Sequence, residues 1–138
     1  PFLTTDSGLN NGYMIAQYTA AALVSEHKVL CHPASVDSIP SSGDQEDHVS
    51  MGMTAALKAL DVLGNAQKVL AIEAVCAAQA IDLLAPLEPG PGTGAGRTVI
   101  REFAPMLQRD RYLAPELEAA AEAVAAGRFA AIVREGTE

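Results

Sequence analysis

Residues 47–84 read DHVSMGMTAALKALDVLGNAQKVLAIEAVCAAQAIDLL, and the spacing of apolar side chains in this stretch decides the fold. Met53, Ala56, Leu60, Leu63, Gln67, Leu70, Ala74, Ala77, Ile81 and Leu84 recur at steps of three and four. That period predicts one long helix over Asp47–Leu84, with the seam of a bundle or coiled coil along it. A second apolar stripe runs through Leu57, Ala66, Val69, Ile72, Cys76, Ala80 and Leu83. What is left is a narrow polar edge at Lys58, Asp61, Asn65, Lys68, Gln79 and Asp82. A helix apolar around most of its girth has to be surrounded, so it is expected to pack against additional chains or against sequence beyond these residues.

Outward from this helix the chain keeps the same character. Its 138 residues suffice for one core, and a second domain is not expected. Hydrophobic residues make up 49%, yet aromatics are 4% and Trp is absent, so the core is expected to be Ala, Leu, Val, Ile and Met. Small side chains let helices approach closely, which suits an all-α bundle better than a sandwich.

Gly8–Gly12 (GLNNG) reads as a turn, and Tyr13–Lys28 as a helix that stops before His32-Pro33. Pro33–Asp47 reads as a loop, with Asp44 a candidate cap and Asp47 at the third position of the long helix. Pro86–Gly96 (PLEPGPGTGAG) is expected to be a flexible Pro/Gly loop. Beyond it, Arg97–Gln108 reads as a short helix, Asp110–Pro115 as a linker, Glu116–Ala126 as a helix stopped at Gly127, and Arg128–Glu135 as a last helical piece. The whole is read as one α-helical segment, residues 1–138, of a longer chain.

Charge and cysteine usage narrow the function classes. A net charge of -8 and a pI near 4.7, without a Lys/Arg patch, argue against nucleic acid and against an anionic membrane surface. Cys76 sits inside an apolar helical run, so a buried free thiol in a reducing, cytoplasmic setting is expected rather than a disulfide to Cys31. No signal peptide is visible, and Val69–Ile81, the most apolar window, is too short to span a bilayer. The chain starts at Pro1 without an initiator Met, which fits a processed protein or a piece of a longer one.

The polar stretch with chemical potential is His32–Met51, HPASVDSIPSSGDQEDHVSM, delivered between two Ala-rich helices. Its centre is Gln45-Glu46-Asp47-His48. Adjacent residues on a helix diverge by about 100°, so this triplet of acid, acid and imidazole is a poor chelate, and neither His27 nor His32 completes a metal-ligand spacing. No metal is expected. A Ser/His/Asp triad lacks a nucleophile elbow, and PGPGTGAG follows a helix rather than a strand, as a linker does. Taken alone, Glu46 and Asp47 read as negative charge complementing a helix dipole, Met14 as a core residue and His27 as solvent-facing.

Two dispersed segments carry a resemblance. GLNNGYMIAQYTAAALVSEHKVLCHPASVDSIPSSGDQEDHVSMG, residues 8–52, resembles bacterial histidine ammonia-lyases of the aromatic amino acid lyase family. REFAPMLQRDRYLAPELEAA, residues 101–120, is similar to the C-terminal signature of that family. The resemblance implies the C-terminal part of an enzyme that removes ammonia from L-histidine to give urocanate, built as a homotetramer around a helical core. It also implies a methylidene-imidazolone prosthetic group formed from an internal Ala-Ser-Gly. No Ala-Ser-Gly occurs in this sequence, so these residues alone are expected to be inactive and to bind no cofactor of their own.

By the same resemblance Glu46 matches a pocket glutamate with a catalytic role, and Met14 and Gln45 match substrate-binding positions, Met14 against the substrate ring. Related lyases for aromatic amino acids carry an amide at the position of Glu46, whereas a carboxylate suits an imidazole or ammonium N–H. Tyr13 stands where phenylalanine is expected. Two other readings compete: a phenylalanine or tyrosine lyase or aminomutase on the same fold, and a non-catalytic helical oligomerisation module.

Overall fold

The computed structural model describes residues 2–45 and 48–135. Its elements are α1 (Met14–Leu30), α2 (Gly52–Leu83), α3 (Pro91–Arg101), α4 (Ala114–Ala125) and α5 (Arg128–Glu135). Among the described residues no β-strand forms, although an isolated bridge joins Ser7 to Asn10. The all-α expectation is met.

At 32 residues, α2 is the mast of the molecule, ~48 Å long at 1.5 Å per residue. It packs against α4, α1 and α3, and α5 leans on α3 and α4. Asn65 Nδ2 donates to Glu26 Oε2 at 2.9 Å, and Lys58 Nζ donates to the carbonyl of His32. The foot of α1 therefore lies beside the first half of α2, while Tyr13, at the head of α1, belongs to a cluster with Ala71, Ile72 and Val75. The two helices are antiparallel.

The core is the second half of α2 with its partners: Tyr13, Ala16, Ala71, Ile72, Val75, Ala78, Ile100, Ala104, Leu107 and Ala120. Half of these are alanines, which is how the helices come close enough to exclude water. The predicted seam is not part of it. Met53, Leu60, Leu63, Leu70 and Leu84 are exposed, and the buried face of α2 is Ala71, Ile72, Val75, Ala78 and Gln79. Gln79, placed by its polarity on the solvent edge, is fully buried. Its Nε2 donates to the carbonyls of Leu3 (3.1 Å) and Leu107 (2.9 Å), and its Oε1 accepts from Leu107 N–H (3.0 Å). An amide with every bond made is tolerated in a core that an unpaired one would disrupt. Asp82, also assigned to the polar edge, is half-buried and paired with Arg97 and with Arg101, whose Nε donates at 2.9 Å.

Several boundaries differ from the pattern-based ones. The long helix begins at Gly52 and not at Asp47, because Met51 takes a left-handed φ of 53° and the helix cannot run back through it. Asp44 is therefore no cap: it lies in a turn with its own φ of 64°, and no acidic residue stands in the first turn of α2. Residues 91–96, expected as the second half of a Pro/Gly loop, are helical instead. Pro91 opens α3 at the position where its missing N–H costs nothing. That helix ends at Arg101, well short of Gln108, as Pro105 dictates for the residue ahead of it. α4 starts two residues earlier than Glu116, with Pro115 in its first turn, and stops before Gly127 at φ +73°.

Both cysteines are free; Cys31 is exposed and Cys76 half-buried, with burial pushing the Cys76 thiol above its ordinary range. His27, expected to face solvent, is half-buried. No helix is long and apolar enough to cross a membrane among the described residues.

Candidate active site

Met14 is the first residue of α1 and is half-buried. The turn ahead of it is fixed from three sides. Tyr13 N–H donates to the carbonyl of Phe2 at 2.9 Å. Gly12, at φ +57°, comes so near that carbonyl that a Cβ there would sit 2.3 Å from its oxygen, so no other residue fits. The third hold comes from 99 positions away: Asp110 Oδ2 accepts from Asn11 N–H at 2.7 Å, and Asp110 Oδ1 accepts from Gly12 N–H at 2.9 Å. In return Asp110 N–H donates to Asn10 Oδ1 at 3.1 Å. The backbone amides, Asn11's above all, hold the Asp110 carboxyl below the usual carboxylate range against a smaller opposing effect of desolvation.

Asp110 is itself well anchored. Arg111 Nε donates to Glu116 Oε1 at 2.7 Å, and its NH2 group donates to the carbonyl of Pro105 at 2.6 Å. Leu107 is gripped by Gln79 on both its N–H and its carbonyl.

The acidic loop leaves from the other end of α1. Its base is closed by Ser38, whose Oγ accepts from Val49 N–H at 2.9 Å and donates to Val49 O at 3.3 Å. Near the tip, Ser42, Gly43 and Asp44 all take left-handed φ values, a run that non-glycine residues adopt at an energetic cost, and Gln45 N–H donates to Ser42 O. Gln45 is exposed. Glu46 and Asp47 lie outside the described residues. α1 is 17 residues long, ~25 Å, with Met14 at its head and the loop leaving from its foot. Neither Met14 nor Gln45 lines the apolar groove of about 850 Å³ between α1, α2 and α4, whose lining includes Asn11, Asp110 and Arg111.

Beside Met14, the Tyr13 ring is 2% exposed, and its hydroxyl is buried without a hydrogen-bond partner among the described residues. Burial, and after it the negative charge of Glu116, raise the pKa of this phenol above its ordinary value. Among the described residues no three His, Cys, Asp or Glu side chains converge as metal ligands would.

Sequence reasoning missed Gln79 and Asp110. Gln79 was findable, because it stands four positions after Val75 and seven after Ile72, on the same face as both. Asp110 carries no local signal, since the turn it holds is remote in sequence.

The chain has clear relatives. Residues 1–102 match the model of the aromatic amino acid lyase family. A histidine ammonia-lyase from Symbiobacterium thermophilum is 58% identical over 132 residues, covering 96% of this chain and 26% of the relative. The crystal structure of histidine ammonia-lyase from Trypanosoma cruzi superposes with a TM-score of 0.92 at 43% identity, over 97% of this chain and 26% of that one. A tyrosine aminomutase from Streptomyces globisporus superposes with a TM-score of 0.90 at 40% identity, over 96% and 26%. The chain thus spans about a quarter of the length of the relatives it matches.

Proposed function

Because the chain belongs to the aromatic amino acid lyase family, we propose that it is the C-terminal part of a histidine ammonia-lyase, which eliminates ammonia from L-histidine to give urocanate in histidine catabolism. The observation that carries this reading is the 58% identity to a histidine ammonia-lyase across nearly the whole chain. Glu46 supports the choice of substrate. A carboxylate accepts a hydrogen bond from an imidazole or ammonium N–H, where an amide would serve a neutral aromatic ring.

Eliminating ammonia needs a better leaving group at the amine and a base for a weakly acidic β-proton, both in a dry, preorganised pocket. The methylidene-imidazolone of the family, made from an Ala-Ser-Gly absent from these residues, supplies the electrophile for the amine. The thioether of Met14 and the amide of Gln45 are weak nucleophiles, compatible with such an electrophile nearby. Glu46 supplies the carboxylate, Gln45 beside it binds substrate, and Met14 packs its polarisable sulfur against the substrate ring.

Met14 and the loop sit at opposite ends of α1, which suits a pocket assembled from more than one subunit. The exposed seam of α2 suits a homotetramer that covers it. The same reading places the enzyme in the cytoplasm, with no nucleic-acid or membrane partner.

The test is ultraviolet assay of the full-length protein with L-histidine, L-phenylalanine and L-tyrosine. Urocanate from histidine is expected. Cinnamate or coumarate alone, or a β-amino acid, would replace this reading with an aromatic lyase or an aminomutase, and no product at all would favour an oligomerisation module. Glu46→Gln keeps an acceptor but cannot take a proton. Its turnover is expected to drop by about 100-fold or more with the assembly intact.

A further inference from the structure

α1 has no acidic residue in its first turn and no side-chain cap. What fixes its start is the turn that leads into it, Asn11-Gly12-Tyr13, and that turn is held from outside the helix. The Phe2 carbonyl holds Tyr13 N–H, and Asp110 holds the amides of Asn11 and Gly12. The connection to Met14 runs through a single peptide residue: Asn11 N–H is held by Asp110 Oδ2 at 2.7 Å, and Asn11 O accepts from Met14 N–H at 3.3 Å.

We propose that Asp110 is a positioning residue of the reaction: by clasping the Asn11 and Gly12 amides it sets the turn that leads into α1, and with it the placement of the Met14 thioether against the substrate ring. This rests on the reading of Met14 as a ring-lining residue. The clasp is two-sided, since Asn10 Oδ1 accepts from Asp110 N–H. Its far side does not drift, because Arg111 is tied to Glu116 and Pro105, and Leu107 to the buried amide of Gln79. A carboxylate here satisfies two amide donors with one side chain. An amide in its place can accept from one of them and turns its own N–H groups toward the other.

The experiment is a double-mutant cycle in the full-length enzyme, with L-histidine kinetics as the readout. Met14→Ala is expected to raise KM about tenfold. Asp110→Asn is expected to raise KM about fivefold with kcat within about twofold of wild type, and Asp110→Glu, which keeps both acceptors, to bring KM back toward wild type. In the Met14→Ala background Asp110→Asn should change KM by less than about twofold, because the side chain it acts through is gone. A role in stability alone would leave KM untouched in the folded enzyme, and a diffuse structural role would give equal effects in both backgrounds; either result overturns the proposal.

Should Asp110→Asn fail to fold, Asn10→Ala loosens the same clasp from its other side, and a wild-type KM for that variant also overturns it. A wild-type KM for Met14→Ala, or a wild-type enzyme that forms no urocanate, would strike the underlying reading as well. Both are visible before Asp110 is touched.

Discussion

Along α2 two halves of similar composition meet opposite fates. In the first half Met53, Leu57, Leu60 and Leu63 stand open, Leu60 being 64% exposed; in the second half Ala71 and Val75 are 0% exposed, beside buried Ile72, Ala78 and Gln79. The first half is accompanied by the lower part of α1, which itself leaves Val24 and Val29 exposed. The pair is an open two-helix arm carrying the loop of Gln45 at its tip. The second half is ringed by the head of α1, α3, α4 and the segment around Leu107. Hydrophobicity along a helix thus says that the helix will be covered, and chain connectivity says by what. Sequence within this chain covers one half, and the other half leaves leucines at helical spacing uncovered.

The strongest way to break this comparison is to charge the open half. Each buried leucine contributes ~1.5–3 kcal/mol, and a glutamate in its place adds a desolvation cost. Leu60→Glu with Leu63→Glu in the full-length protein is therefore expected to weaken assembly by more than ~3 kcal/mol. Light scattering should record a shift to smaller species with helical circular dichroism retained. An unchanged mass would mean that the arm is an ordinary solvated face, and the tetramer reading of the exposed seam would go with it.

The same contrast explains what was legible beforehand. Helix periodicity located α1 and α2, because a three-and-four repeat is a property of the chain itself, and composition with stop signals located α4 and α5, whereas the expected Arg97–Gln108 overlaps α3 only at 97–101. The seam residues were identified as apolar, but which stripe faces this chain's own core depends on where α1 and α4 fold back, and no local pattern contains that. The start of α2 was set five residues early because the left-handed Met51 has no compositional mark. Pro91 reads as a loop residue from the Pro/Gly composition around it, although proline at a first helical position is favourable. At the candidate site, the family-like segments brought Glu46, Gln45 and Met14 to attention. The clasp that fixes the head of α1 went unseen, since its two halves are 99 positions apart and Asp110 stands in no motif.

Within the buried half, Gln79 sharpens the comparison next. Gln79→Leu leaves Leu107 N–H and the carbonyls of Leu3 and Leu107 without their partners in a dry core. One unsatisfied buried group costs ~1–3 kcal/mol, so a loss of about 3 kcal/mol is expected in denaturant unfolding. Changing Asn65 to Leu on the open half deletes an exposed bond to Glu26 and should move stability by less than ~0.5 kcal/mol. Equal losses at the two positions would show the halves to be energetically alike, contrary to their burial.

A further effect on the buried half has the opposite sign. Tyr13 packs on the buried half with a hydroxyl that finds no partner among the described residues. Tyr13→Phe removes that unpaired group while keeping the ring, and should stabilise the protein by up to ~1 kcal/mol at neutral pH. The gain should grow in alkali. The folded phenol holds its proton more tightly than a free tyrosine, whose pKa is 10.0. The stability this contributes is whole below pH 10 and is lost as pH rises toward the raised folded value, because the unfolded chain ionises first. Cys76 behaves in the same way from its ordinary 9.0, but it is common to both proteins and cancels in the difference. Unfolding midpoints of wild type and Tyr13→Phe should therefore separate above pH 10. Parallel curves would mean that the phenol reaches water or a partner in the assembled enzyme, and that the head of α1 is less dry than its burial here implies.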